Sequence, residues 1–335
     1  MARKAYITAI SYVLPAVVEE NMDRRLRRKT GIIHRHVCPD DMTAADMARE
    51  AAVKLFAQGV KKEAIDFLLF CTQSPDYPLP TTACLLQQAL QISNSAGALD
   101  FNLGCSGYIY GLGLAKGLIE TGQAKNVLLL TAETYSKYIH PEDHATRAVF
   151  GDAATATLIE AMEDKKHEGI HSFVYGSDGG GAGQLIVPVG GMRQRISETS
   201  EILTEDEHGN RRTNRNVFMD GTAIVNFAME VVPQTVDKIL TKAALQREEI
   251  DYYVFHQANH FMLSYLRQKC GLMELPYWED VSEYGNTVSN SIPIALTDML
   301  QSEQRKRLEK VMLIGFGVGL SWGGCLVDLS KIRDR

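Results

Sequence analysis

Val60-Lys-Lys-Glu-Ala-Ile-Asp-Phe-Leu-Leu-Phe70 returns later in the chain as Leu245-Gln-Arg-Glu-Glu-Ile-Asp-Tyr-Tyr-Val-Phe255, at an offset of 185 positions. Lys125-Asn-Val-Leu-Leu-Leu130 likewise resembles Glu309-Lys-Val-Met-Leu-Ile314, at an offset of 184. Strand composition alone does not hold an offset nearly constant across several elements, so the chain reads as two copies of one β/α unit. The copies span 1–168 and 169–335 and meet where Asp164-Lys-Lys-His-Glu-Gly169 breaks the pattern. Within the first copy, Ile65–Cys71 is the apolar run of a buried strand, and the Pro-rich turn Ser74–Pro80 follows it. Thr81–Leu90 then reads as a helix, Ala98–Leu103 as a short strand, Tyr108–Glu120 as a helix and Asn126–Leu130 as the next strand. Alternation of this kind predicts an α/β layered fold, with the strand ends of both copies directed towards a shared central cleft.

Composition bounds the rest. A chain of 335 residues, 45% hydrophobic and 23% charged, can bury a sizeable core, and no stretch approaches the roughly 18 unbroken apolar residues of a membrane span. Met1-Ala2-Arg3-Lys4-Ala5 runs directly into Tyr6–Ile10 without a signal-peptide core, so a cytoplasmic location is expected. A net charge of −6 and a pI near 5.9 give no electrostatic reason to expect nucleic acid as a partner. The cysteines at positions 38, 71, 84, 105, 270 and 325 form no C-x-x-C pair, which removes support for a zinc knuckle or a thioredoxin-type centre. Five of them are expected to be reduced core residues. Glu198–Asn216, polar and charged, reads as a surface insertion or flap.

Three strand–loop junctions carry the chemistry. Cys105, in Asn102-Leu-Gly-Cys-Ser-Gly107, lies between a short strand and a helix. The positive end of that helix and its free backbone N–H groups are expected to lower the thiol pKa and favour a nucleophilic thiolate. By itself, however, a Cys in such a run reads as a core residue. His256, in Phe255-His-Gln-Ala-Asn-His260, follows a strand end and is placed for proton transfer or hydrogen-bond donation, with a structural His as the alternative. Asn286, in Tyr284-Gly-Asn-Thr-Val-Ser-Asn290, reads alone as a helix N-cap. The duplication changes this balance, because it brings Cys105 and Asn286 to pseudo-equivalent positions across the cleft. Three polar groups converging from three junctions make a site.

Read together, these motifs resemble the β-ketoacyl-acyl-carrier-protein synthase III family, condensing enzymes of the thiolase superfamily. The resemblance runs over nearly the whole chain. It includes Lys29-Thr-Gly-Ile32, Cys105-Ser-Gly107, Phe150-Gly-Asp-Ala-Ala154 and Ser177-Asp-Gly179. It continues through His256-Gln-Ala-Asn259, Gly285-Asn-Thr287 and Phe316-Gly-Val-Gly-Leu-Ser-Trp-Gly323. It implies a thiolase-like fold in which duplicated βαβαβαββ halves form five αβαβα layers. It also implies that Cys105 accepts an acyl group as a thioester while His256 and Asn286 handle a malonyl-carrier thioester. Loss of CO2 from malonyl leaves an enolate whose charge neutral His256 and the Asn286 amide would hold by two hydrogen bonds. Backbone N–H groups of Cys105 and Val318 would form a second oxyanion hole, although the family's usual residue at the latter position is Gly. Lys29, Asn259, Leu79 and Thr222 are the implied substrate-binding positions, and a homodimer is implied. No resident cofactor or metal is expected, since coenzyme A or phosphopantetheine thioesters enter as substrates.

The chain departs from the family at two places. Members that start from a coenzyme A ester hold its nucleotide with a Trp and several Arg. Here the aligned positions carry Arg25, Lys29, His144 and Phe261. Loss of stacking and guanidinium contacts points to an acyl-carrier-protein donor, or to acyl-CoA bound differently. The run Arg24-Arg-Leu-Arg-Arg-Lys29 is then either a solvated helical face or a landing site for pantetheine phosphates or an acidic carrier protein. Leu79, in a loop that reaches across the family's dimer interface, takes the place of a bulky aromatic and implies room for a longer or branched acyl chain.

Rival readings are weaker. A cysteine hydrolase also uses Cys, His and Asn, but its papain-type signature is absent. Thiolase would need a second cysteine within Phe316–Gly323, and Cys325 follows that run. A hydroxymethylglutaryl-type enzyme needs a glutamate base, whereas Glu133 reads as a structural or loop residue. Gly179–Gly183 lacks the Gly-Lys-Ser/Thr ending of a phosphate loop, and His140-Pro-Glu-Asp-His144 is a loop rather than a helical metal pair. A specialised condensation in secondary metabolism or polysaccharide assembly, and an inactive scaffold, complete the alternatives.

Overall fold

Runs of two to ten residues become the strands of two sheets in the structure, a computed structural model that describes residues 3–164, 166–302 and 308–333. The first sheet contains β1 (Lys4–Val13), β2 (Phe67–Cys71), β3 (Gly97–Phe101), β4 (Asn126–Glu133) and β5 (Ala153–Met162), in the order β1-β5-β4-β2-β3. The second contains β6 (Ile170–Ser177), β7 (Tyr252–Phe255), β8 (Tyr277–Trp278), β9 (Val311–Gly317) and β10 (Ser321–Val327), in the order β6-β10-β9-β7-β8. The directions also correspond. β2 is parallel to β3 and β4, as β7 is to β8 and β9, and the remaining two pairings in each sheet are antiparallel. The first quoted repeat thus falls on the equivalent strands β2 and β7, and the second on the central strands β4 and β9.

Nine helices among the described residues join these strands: α1 (Arg24–Thr30), α2 (Ala44–Ala57), α3 (Thr82–Ala89), α4 (Gly107–Glu120), α5 (His144–Arg147), α6 (Gly221–Ala243), α7 (His260–Lys269), α8 (Val281–Tyr284) and α9 (Ser291–Gln301). α4 and α9 touch both sheets and form the middle layer. α2 and α3 cover the outer face of the first sheet, and α6 covers that of the second with α7 packed on it. The result is a five-layered αβαβα duplicated thiolase-type fold.

Burial on both faces explains why the strands read as unbroken apolar runs. On β2, Leu69 joins a central cluster with Leu112 of α4 and Leu296 of α9, while Leu68 and Phe70 face Ala48 and Leu55 of α2. On β9, Leu313 enters the same central cluster, and Met312 and Ile314 face Val236 and Ile239 of α6. Ser291–Thr297 of α9 is buried on all sides, as a helix between two sheets must be.

Helix ends follow local chemistry. Thr43 closes a capping box with Asp46 at the start of α2. The basic run is α1, capped by Asp23 and ended by Gly31 at φ 70°, the left-handed conformation that favours glycine. The polar stretch at 198–216 holds a short hairpin, Thr204–Glu205 with Arg211–Arg212. Arg211 pairs with Glu142 at 2.7 Å and Arg212 with Asp143 at 2.8 Å, fixing it beside α5.

Candidate active site

Cys105 sits between the end of β3 and the start of α4, and it is 5% exposed. The β9–β10 turn closes over it. A Cβ on Gly317 would come within 3.0 Å of the thiol sulfur and 2.9 Å of its Cβ, so this close approach requires glycine. Ser106 and Ser321 hydroxyls lie 2.7 Å apart, and Ser321 donates to the Val318 carbonyl at 2.8 Å. The Cys105 loop of one copy is thereby tied to the 318–320 turn of the other.

The thiol does not have the lowered pKa that its place before a helix suggests. Burial pushes it up, and the Glu133 carboxylate pushes in the same direction; its own backbone N–H acts the other way. Desolvation outweighs the helix terminus because this sulfur is almost wholly enclosed. The balance favours the neutral thiol at Cys105.

His256 follows β7, with its backbone N–H donating to the Ile314 carbonyl at 2.8 Å. Its ring stands edge-on to Phe316 at 5.4 Å between centroids, and Nδ1 lies 2.7 Å from Ser291 Oγ. Burial alone lowers its pKa to about 3, so the imidazole is neutral.

Asn286 is not the helix cap that its position suggests. Val288–Asn290 forms a 3-10 turn before α9, and Asn286 instead bridges to Phe150. Its backbone N–H donates to Val149 O at 2.9 Å, and its carbonyl accepts from Gly151 N–H at 3.0 Å. The side-chain Oδ1 accepts from Val288 N–H at 2.9 Å, which identifies the free end of the amide as its NH2 donor.

Cys105, His256 and Asn286 line one cavity of about 80 Å³, walled by Val149, Leu185, Met219, Ile224 and Phe316. A buried thiol, a neutral imidazole and an amide NH2 thus line one apolar chamber. That arrangement suits transfer of an acyl group and stabilisation of a developing oxyanion.

Glu133, expected from the sequence to be a structural or loop residue, ends β4 and acts electrostatically on Cys105 without lining the chamber. It is fully buried and accepts hydrogen bonds from Gln73 N–H at 3.0 Å, Ser74 Oγ at 3.2 Å and Ser289 Oγ at 3.3 Å. Burial pushes its pKa up to about 8. The available signal was one acid ending the apolar run Val127–Ala132. Ser291 gave no such signal.

The implied substrate-binding positions separate. Asn259 lines the same cavity while its side chain caps α7 through Met262 N–H at 2.9 Å. Thr222 follows the lining residue Gly221 on the exposed first turn of α6. Leu79 is 86% exposed and does not line the chamber within this chain. Lys29 lines a separate cavity of about 780 Å³ with Arg25, His144, Arg147 and His208. Ala148 lines that cavity and Val149 the chamber, so the two are neighbours. The basic run therefore divides: Arg25 and Lys29 face the large cavity, while Arg27 pairs with Glu20 at 3.2 Å. Phe261 is half exposed and stacks on Tyr265. Cys84 is the exception to the buried thiols, since it is exposed on α3.

Comparisons with known proteins agree on one family. A model described as 3-oxoacyl-[acyl-carrier-protein (ACP)] synthase III matches residues 99–179, and the model for its C-terminal part matches 240–329. Cys105 falls in the first match, and His256 and Asn286 in the second. The chain is 32% identical over 322 residues to the beta-ketoacyl-[acyl-carrier-protein] synthase III of Clostridium tetani, covering 96% of this chain and 94% of that one. It is 34% identical to the protein of that name from Clostridioides difficile, covering 98% and 99%. A solved 3-oxoacyl-(acyl-carrier-protein) synthase III superposes with a TM-score of 0.95 at 47% identity, covering 97% of this chain and 99% of that one. A 3-oxoacyl-(acyl-carrier protein) synthase from Burkholderia xenovorans LB400 superposes at 0.89 with 36% identity, covering 99% and 95%. No helix among the described residues is long and apolar enough to cross a membrane.

Proposed function

This chain belongs to the 3-oxoacyl-[acyl-carrier-protein] synthase III family of condensing enzymes of fatty-acid synthesis, and on that premise we propose how its residues divide the reaction. Cys105 attacks the carbonyl carbon of an acyl thioester. The C–S bond to the carrier breaks, and the thiol proton of Cys105 ends on the departing sulfur. No net base is consumed, which fits a nucleophile that rests protonated. Backbone N–H groups of Cys105 and Val318 hold the tetrahedral oxyanion.

A malonyl-carrier thioester then enters. Its carboxylate leaves as CO2, the electron pair moves into an enolate, and His256 and Asn286 donate to the enolate oxygen. The new carbanion attacks the acyl-Cys105 carbonyl and expels the Cys105 thiolate, releasing a β-ketoacyl thioester. The observation that carries this reading is that a buried thiol, a neutral imidazole and an amide NH2 line a single apolar chamber.

The acyl donor is proposed to be a carrier-protein thioester, with Lys29 and Arg25 receiving the anionic arm. Asn259 and Thr222 meet the pantetheine at the mouth. The homodimer forms along the open edge of β3, where Leu99 is 44% exposed, and brings Leu79 of the second copy to the acyl end. Six free cysteines accord with a cytoplasmic setting.

Intact-mass analysis with panels of acyl-CoA and acyl-carrier thioesters, with and without malonyl-carrier protein, tests the scheme. An acyl adduct on Cys105 should form and be discharged by the malonyl thioester. In His256→Ala the adduct should form and persist. Absence of an adduct, or its discharge by water alone, overturns the proposal.

A further inference from the structure

We propose that Ser291 fixes the tautomer of His256, keeping the imidazole proton on Nε2 so that the ring faces the chamber as a hydrogen-bond donor. The inference rests on the condensation scheme above for its consequence, but its geometry stands alone.

Ser291 is the first residue of α9 and is 2% exposed. Its Oγ lies 2.7 Å from His256 Nδ1 and 3.3 Å from the backbone nitrogen of Gln257, which can only donate. Two arrangements are open. If Nδ1 carried the proton, the hydroxyl oxygen would receive two N–H groups, and its own hydrogen would need a third partner. No further partner for Ser291 Oγ occurs among the described residues. A buried hydroxyl hydrogen left without an acceptor is unfavourable, because it gives up water and gains no partner. If Ser291 instead donates to Nδ1, every group at this junction is satisfied. The Gln257 side chain does not compete, because Nε2 donates to Phe255 O at 2.7 Å and Oε1 accepts from Asp280 N–H at 3.0 Å.

The same short segment orients the second donor. Val288 N–H occupies Asn286 Oδ1, and Ser291, five residues after Asn286, occupies His256 Nδ1. Both acceptor atoms are thereby consumed, which leaves each side chain a hydrogen to present to the chamber both line. Ser291 is a positioning residue: it acts through His256.

The experiment uses the full-length protein labelled with 15N-histidine, with His256 assigned by the resonance lost in His256→Ala. Two-bond proton–nitrogen correlations should show a protonated Nε2 and a bare Nδ1 for His256 in the wild type. In Ser291→Ala the resonances should move towards the other tautomer or a mixture. Discharge of the acyl-enzyme by malonyl-carrier protein should slow by at least about tenfold, as expected when a catalytic imidazole loses its tautomer. Formation of the Cys105 adduct should stay within about twofold of wild type, and Ser291→Thr, which retains the hydroxyl, should restore both readouts. A wild-type Nδ1–H tautomer, or a His256 spectrum unchanged in Ser291→Ala, overturns the proposal, and the wild-type spectrum decides even where the variant does not fold. Absence of condensation in the wild type would sink the catalytic scheme while leaving the tautomer result readable.

Discussion

At Cys105 two electrostatic influences compete, and their balance depends on pH through Glu133. Burial keeps that carboxyl protonated up to about pH 8, against an ordinary value of 4.5. Below this point Glu133 is neutral and adds nothing to the thiol; above it the carboxylate opposes the Cys105 thiolate. In a Cys84→Ser background, which removes the exposed competitor, alkylation rates of wild type and Glu133→Gln should agree near pH 7. They should separate as pH rises through 8, with the Gln variant faster; iodoacetamide rates followed by peptide mass measure this. Stability follows the same group. A raised folded pKa means that its contribution is full below the unfolded value and is lost as pH rises through about 8. The wild-type melting temperature should therefore fall relative to Glu133→Gln across that window, read by thermal denaturation at a series of pH values. The convergence of Cys105, His256 and Asn286 on one chamber was legible because each lies in a junction between elements and the duplication opposes Cys105 and Asn286. Glu133 and Ser291 were not, because their roles depend on Ser289 and His256, partners distant in sequence.

Elements were readable where periodicity or a continuous run defines them. The strand at 98–103 and the helix at 108–120 shift by no more than two residues in the structure. The segment after Gly285 was less readable. There the chain makes a 3-10 turn at Val288–Asn290, with Val288 at φ 57°, before α9 begins. This extra turn is what separates Asn286 from a capping role and lets its amide point into the chamber. The β9–β10 turn is equally specific. Gly317→Ala would press a methyl against the Cys105 side chain, and adduct formation should slow by about a hundredfold, the penalty of misplacing a reacting group. Intact-mass kinetics read the loss, and an unchanged far-UV circular dichroism spectrum shows that the fold survives. Acylation at the wild-type rate would mean that the turn yields.

Across the whole molecule, duplication was the most informative sequence feature. It forecast two like units with a cleft shared between them: the matching strand orders show the first, and a chamber lined by Cys105 and Val149 of one half and His256 and Asn286 of the other shows the second. It could not forecast what one copy presents to another chain, since exposure at β3 and at Leu79 emerges only once the sheets are built. The proposed homodimer predicts a sedimenting species of twice the mass of the 37.2 kDa chain. Leu79→Trp should retain that mass and shift the preferred acyl donor towards shorter chains, as measured by adduct formation. A monomer, or an unaltered preference, would remove Leu79 from the acyl pocket. The chamber itself has a temporal consequence. At about 80 Å³ it has room for only a few waters, and its apolar walls give them little to bind. An acyl group parked on Cys105 would displace those waters from the space next to the ester. The loaded enzyme can then wait for its second substrate with hydrolysis kept slow, storing the activated carbon until a carrier arrives.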